Sequence, residues 1–190
     1  MTEAQVSGSR ARTRQAIIDA AIDVLGRNPA ASLGDIATAA DVGRTTLHRY
    51  FADRADLLKA VGAEADARLA RATAAARLAE GTGASAVQRL CQEYFDLGNV
   101  LSVVFNAALG AGDPEHAEPA GCDPEFAAMV ERGYRDGTID PALPADWVQS
   151  LIWSQLYAGW AYQGEMGASR HEVLRLILRT VAGAIAVRPA

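Results

Sequence analysis

Residues Ser32–Val61 read SLGDIATAADVGRTTLHRYFADRADLLKAV, and the reading of the whole chain turns on this stretch. Ser32 offers an N-cap, and Asp35 three positions later completes an approximate capping box, so a helix starts at Leu33. It is short: Leu33, Ile36, Ala37 and Ala40 point inward, and Asp41-Val42-Gly43 forms a turn. A second short helix, about Arg44 to Phe51, carries Leu47 and Phe51 four apart on its apolar side. Asp53 then caps a longer helix running toward Ala79, with Leu57, Leu58, Val61 and Leu69 on one face.

Two short helices joined by a three-residue turn, with Ala37 and Ala40 small enough for close crossing, fit a helix-turn-helix. In that motif the second helix enters the DNA major groove, so its exposed side chains must be long, polar or hydrogen-bonding. Arg44, Thr45, Thr46, His48, Arg49 and Tyr50 fill that exposed face, while Leu47 and Phe51 bind it to the core. Any solvated helix face is polar; the turn and the capped helix before it favour the DNA reading. Ser32 and the free N–H groups of its helix can hold a phosphate. Arg44, Thr45 and Thr46 stand at the leading end, where Arg44 can pair with guanine O6 and N7 and the threonines can meet thymine methyls or phosphate. Arg49 can serve base or backbone.

The same stretch resembles the TetR family of transcriptional regulators. The resemblance rests on Ile36-Ala37, on Val42 in the turn, on Thr46-Leu47, on the Tyr50-Phe51 ending, and on a basic residue followed by Leu57-Leu58. It covers this segment and the helix before it; the rest of the chain fits the family in helix count and loop placement. It implies that His48, Tyr50 and Arg54 grip the DNA backbone, with Lys59 assisting. Asp41 stands where the family usually has glycine, Gly43 where a small polar residue follows, His48 where tyrosine is usual and Tyr50 where histidine is common. These departures bear on which bases are contacted and leave the docking mode intact.

The 190 residues are 50% hydrophobic and 22% charged, so a packed core is expected and wholesale disorder is excluded. Abundant alanine, short β-branched runs and no hairpin signal point to an all-α protein of about nine helices. No run approaches the ~18 apolar residues of a membrane span, and Met1 to Arg14 lack the apolar stretch of a signal peptide, so a cytoplasmic protein with no membrane partner is expected. The net charge of −5 is uneven: residues 1–60 hold eight basic against seven acidic side chains, and the remainder is acidic. Arg10, Arg12 and Arg14 are read either as an arm reaching phosphate or minor groove, or as a solvated tail.

Residues 1–60 are therefore read as a three-helix DNA-binding domain and 61–190 as a helical effector-binding and dimerisation domain. Helices are expected over 12–26, around 87–95, over 100–109, 124–135, 145–166 and 169–187, with loops at 110–122 and 136–144. The last two helices are the expected dimer interface, through Ala158, Gly159, Tyr162, Leu174, Ile177, Val181 and Ile185. Tyr94, Phe95, Phe105, Met129, Trp153, Tyr157 and Trp160 are the expected lining of an apolar effector pocket; each is also an ordinary core residue by type.

Enzyme signatures are missing: there is no GxSxG, HExxH, P-loop or dinucleotide fingerprint. Cys91 and Cys122 form no CxxC, and His48, His116 and His171 are scattered, so no metal, disulfide or cofactor is expected. His116 with Asp113 and Glu115 reads as a polar loop cluster, and Cys91 beside Leu90, Tyr94 and Phe95 as core. The resemblance implies a homodimeric regulator, a repressor, on a palindromic double-stranded operator, released by a small apolar or aromatic effector. The alternative is a helical adaptor acting through protein contacts, with weak or no DNA binding.

Overall fold

The computed structural model describes residues 3–110 and 122–187, with side chains over 8–106 and 122–187. The expected loop cluster of Asp113, Glu115 and His116 lies outside these residues. Among the described residues the chain forms nine helices and no strand: α1 (Glu3–Arg27), α2 (Leu33–Ala39), α3 (Arg44–Tyr50), α4 (Arg54–Ala75), α5 (Gly83–Asp96), α6 (Asn99–Gly110), α7 (Pro124–Arg135), α8 (Ala145–Met166) and α9 (Arg170–Ile185).

Two compact units divide the chain, and the division is not at residue 60. The first unit runs to Arg68 and takes in α6 as well, from Gly98; the second holds residues 69–97 and α7 to α9. The boundary thus falls inside α4. α6 joins the first unit because it packs along α1. Gly26 permits the approach: a Cβ there would sit 2.9 Å from both Cβ and the carbonyl oxygen of Asn99. The Asn99 amide donates to the Asp23 carboxylate at 3.0 Å, and Val100, Leu101 and Phe105 are buried.

The core of the first unit comes from α1 (Ile17, Ile18, Ala21, Ile22, Leu25), α2 (Ile36, Ala37), Leu47 and Phe51 at α3, and Leu57 and Val61 of α4, all buried. α1 starts well before the expected Arg12, since neither proline nor a cap interrupts Glu3 to Ala11. Arg10, Arg12 and Arg14 consequently lie on helix, which excludes the extended arm. Arg68 of α4 pairs with Asp19 of α1 and, at 2.8 Å, with Glu64 on its own helix. The Asp19 pair ties α4 to α1, and Glu64 holds the guanidinium in place for it.

α4 stops at Ala75, short of the expected Ala79. Arg77 there takes a left-handed φ of 48°, and the Arg89 guanidinium of α5 donates to the carbonyls of Ala76, Arg77 and Glu80 at 2.7–2.9 Å. One planar head thus gathers three carbonyls of the turn that follows α4. No sequence pattern announces that staple.

In the second unit α5 packs on α7 through two glycines. A Cβ on Gly83 would lie 2.3 Å from Gly133 Cα, and one on Gly133 would lie 2.5 Å from Ile139 Cδ1. α7 starts on the Asp123 cap with Pro124 next, as expected, and ends with Gly137 at φ 72°. α8 and α9 pack together, and Val148, Ile152, Leu156 and Gly159 of the one and Val173, Ile177, Val181 and Ile185 of the other are all buried. The hollow at Gly159 receives Ile177, whose Cδ1 would be 2.5 Å from an added Cβ.

That arrangement corrects the expected dimer set. Gly159, Ile177, Val181 and Ile185 are covered within the chain itself, because α9 packs on α5 as well as on α8 and Gly159 takes Ile177. Leu174 is half-buried; Ala158 and Tyr162 are exposed.

Gly133→Ala is expected to lower the unfolding free energy by about 1–3 kcal/mol, read from the urea midpoint at unchanged slope. The added methyl meets the branched part of Ile139, which has little room to move.

Candidate nucleic-acid interface

The helix-turn-helix is assembled from local hydrogen bonds. At the start of α2 the Ser32 hydroxyl accepts from the Asp35 amide (3.2 Å), and the Asp35 carboxylate accepts from the Ser32 amide (2.8 Å). This full capping box, with Arg44 nearby, holds the Asp35 carboxyl below its ordinary value, the Ser32 amide being the largest cause and its hydroxyl the next. The carboxylate stays ionised, and the cap closed, until the pH falls below the usual aspartate range. At the other end the Val42 amide donates to Ala37 O (3.0 Å) and the Asp41 amide to Thr38 O (3.1 Å). This paired closure needs a left-handed residue, and Asp41 supplies it with φ 52°. Aspartate is among the few non-glycine residues that tolerate this region, which accounts for its presence where glycine is usual.

The orientation of α3 follows from one side chain. Leu47 is 1% exposed and points into the core. At roughly 100° per residue, Thr45 and Arg49 then face directly outward, and both are exposed. Arg44 and His48 turn to one flank, toward α2; Thr46 and Tyr50 turn to the other, toward α1.

Each flank carries positive charge. On the α2 side a cleft of about 470 Å³ is lined by Ser32, Leu33, Gly34, Arg44, Leu47, His48 and Arg54. The Arg44 guanidinium leans over the α2 backbone: its Nη2 would lie 2.8 Å from a Cβ on Gly34. Arg44 thus faces the cleft, and the outward position expected for it belongs to Thr45 and Arg49. On the α1 side the Arg10 and Arg49 guanidiniums lie 5.9 and 5.6 Å from the Tyr50 ring centroid, and Arg14 lies 5.2 Å from that of Phe51.

Arg54 has a structural part besides the expected one. Its guanidinium donates to Ala31 O and, at 2.9 Å, to Pro29 O. It walls the cleft, and two of its five N–H groups hold the loop that leads into α2. The Ser32 hydroxyl is likewise engaged with Asp35, so the open donors there are the first-turn amides of α2.

The expected pocket residues include two ring pairs. Tyr94 and Trp153 stack at 5.1 Å between ring centroids, and the Tyr94 hydroxyl is 2.8 Å from Thr73 Oγ1. Burial pushes the Tyr94 phenol up from its ordinary value, so it is a neutral hydrogen-bonding group at neutral pH. Tyr157 and Trp160 form a second pair at 5.7 Å, with Tyr157 41% exposed. Phe95 and Met129 are core; the Arg170 guanidinium lies 4.8 Å over Phe95 and donates to its carbonyl and to Asp96. Phe105 sits on α6, in the first unit. Thr73 and Arg170 were invisible to sequence reasoning, lying on other helices at no fixed spacing from the aromatics. Burial pushes the Cys91 thiol up to about 12, so it is no nucleophile.

Two outcomes follow. Asp41→Gly is expected to raise the stability of the chain by about 1 kcal/mol, the order of the left-handed penalty it removes. Arg54→Ala is expected to destabilise by about 1.5–3 kcal/mol through its lost carbonyl bonds. Denaturant titration measures both. A thermal or urea midpoint unchanged by Arg54→Ala would show the loop to be held otherwise.

Comparison with known proteins agrees with this geometry. The family model for bacterial regulatory proteins of the tetR family matches residues 17–61, from α1 to the first turns of α4. The HTH-type transcriptional repressor LfrR of Mycolicibacterium smegmatis is 36% identical over 183 residues, which span 96% of this chain and 95% of that protein. The crystal structure of the TetR-like regulator LfrR in complex with proflavine superposes with a TM-score of 0.71 at 34% identity, covering 95% of this chain and 99% of that one. The ketosteroid regulator KstR2 of Mycobacterium tuberculosis shares the fold with a TM-score of 0.67 at 16% identity, covering 92% and 95% of the two chains. Among the described residues no helix is long and apolar enough to cross a membrane. With a helix-turn-helix closed by its own caps and identity spread over nearly its whole length, the chain belongs to the TetR family and is a DNA-binding transcriptional regulator, not an enzyme.

Proposed function

We propose that the protein is a homodimeric repressor that binds a palindromic operator and is released from it by a flat aromatic effector. The observation that carries the DNA half is the setting of α3: Leu47 inside, Thr45 and Arg49 outermost, positive charge on both flanks. In a major groove this presents Arg49 to guanine edges and Thr45 to thymine methyls, with Arg44, His48 and the α2 amides toward phosphate. A single head of this size binds weakly, and two heads one helical turn apart, about 34–36 Å, read a two-fold operator.

The dimer reading draws on the outer faces of α8 and α9. With the inner stripes buried, these faces still show Tyr162 (42% exposed), Leu176 (38%) and Met166 (66%) among the small residues Ala158 and Gly183. Large apolar side chains left in water beside small ones favour close packing with a second copy. Ala158 and Tyr162 remain from the expected set; Leu176 and Met166 are added.

The effector reading draws on the Tyr94–Trp153 stack and on LfrR, whose structure holds proflavine, a flat tricyclic dye. A planar aromatic sliding against Trp153 exchanges one stacked partner for another at small cost. Release requires that the effector favour the state whose α3 helices are wrongly spaced, since equal affinity for both states shifts nothing.

The test is fluorescence anisotropy on duplex DNA flanking the protein's own gene. Arg49→Ala is expected to cost about 1–3 kcal/mol and to relax the preference at one base pair per half-site. Arg44→Ala should weaken all duplexes alike. Proflavine is expected to release the complex, and Trp153→Ala to blunt that release by roughly tenfold or less, the worth of one ring stack of about 0.5–1.5 kcal/mol. Absence of salt-dependent binding to any such duplex returns the protein to the adaptor reading.

A further inference from the structure

Two sets of arginines in this chain contrast. Arg54, Arg68, Arg89, Arg132 and Arg170 each commit their N–H groups to backbone carbonyls or carboxylates. Arg10, Arg14 and Arg49 behave otherwise. All three are exposed, and among the described residues none makes a hydrogen bond or ion pair; each lies against an aromatic ring. Arg10 and Arg14 are one turn apart on α1 and share a side of it. Their rings, Tyr50 and Phe51, are consecutive at the end of α3.

Stacking on an aromatic face fixes a guanidinium without consuming its donors, because the attraction acts on its plane while the N–H groups point along its edge. Three such heads converge where α1 meets the end of the recognition helix. This is the flank opposite the α2 cleft. A helix lying in a major groove, about 12 Å wide, meets one sugar–phosphate strand on each flank. The α2 cleft with Arg44 and His48 serves one strand. We infer that Arg10 and Arg14 of α1 form a second phosphate clamp that grips the opposite strand of the same half-site, beside the base-reading Arg49. Tyr50 and Phe51 act as positioning residues that hold the guanidiniums on station. The inference rests on the DNA-binding reading above and adds a second strand to it.

Phosphate contacts are counted by salt. Each one contributes about 0.9 to the slope of log affinity against log salt on duplex DNA. The experiment uses the full-length protein and a labelled duplex from the DNA flanking its gene, titrated across potassium chloride concentrations. The double variant Arg10→Gln/Arg14→Gln should reduce the slope by about 1.8 per protomer, or about 3.6 for a dimer on two half-sites. Arg10→Lys/Arg14→Lys keeps the charge and should recover most of the slope at reduced affinity. Phosphate ethylation interference should lose its signal on one strand only in the glutamine variant.

Thermal melting separates a folding defect from a lost contact. Arg10→Gln alone, far from any core residue, supplies a version that should melt like the parent and still lose about 0.9 of slope per protomer. An unchanged slope in folded variants, with Arg44→Ala still weakening the complex, overturns the clamp and leaves the DNA-binding reading standing. Failure of the parent protein to bind the duplex overturns both.

Discussion

Seven residues make too few backbone hydrogen bonds to keep a helix formed in water, and α3 is seven residues long. It exists because Leu47 and Phe51, each 1% exposed, are held by the core of the first unit. Every property of the DNA-facing surface descends from that anchorage. The buried leucine decides which side chains look outward, and the phenylalanine that ends α3 brings its last turn under α1. The same demand explains why α2 is closed at both ends by explicit hydrogen bonds: a short helix supporting another short helix has no length to spare for fraying.

Much of this was legible in residue order because the signals are local. Ser32 and Asp35 lie three apart and satisfy each other's backbone, Asp123 stands directly before Pro124, and Ser169 before α9 accepts from the Glu172 amide. Such caps depend on neighbours in sequence, so α2 and α7 begin where expected and α9 within one residue of it. The direction of α3 was only half legible. Polar residues mark its exposed side, but Arg44 turning back over Gly34 depends on where α2 crosses, which no spacing within α3 records.

What stayed hidden is long-range. Gly83 meeting Gly133, Gly26 meeting Asn99 and Gly159 receiving Ile177 are close approaches between helices distant in sequence, and a lone glycine in a helix looks the same whether it faces a neighbour or water. The expected interface residues of α9 illustrate the consequence. A helix with apolar residues over most of its circumference must be covered on two sides, and periodicity cannot say which side goes to α8 and which to another molecule. The attachment of α6 to the first unit is hidden for the same reason, since its apolar residues give no address.

The bond from Arg54 to the carbonyls of Pro29 and Ala31 carries a thermodynamic implication for recognition. An arginine side chain holds about 2 kcal/mol of rotamer entropy when it moves freely. In this protein that freedom is already surrendered on folding, together with the wandering of the loop it restrains. A duplex arriving at the cleft meets a wall that no longer needs to be ordered, so association is spared that entropic toll and more of the contact energy survives as affinity.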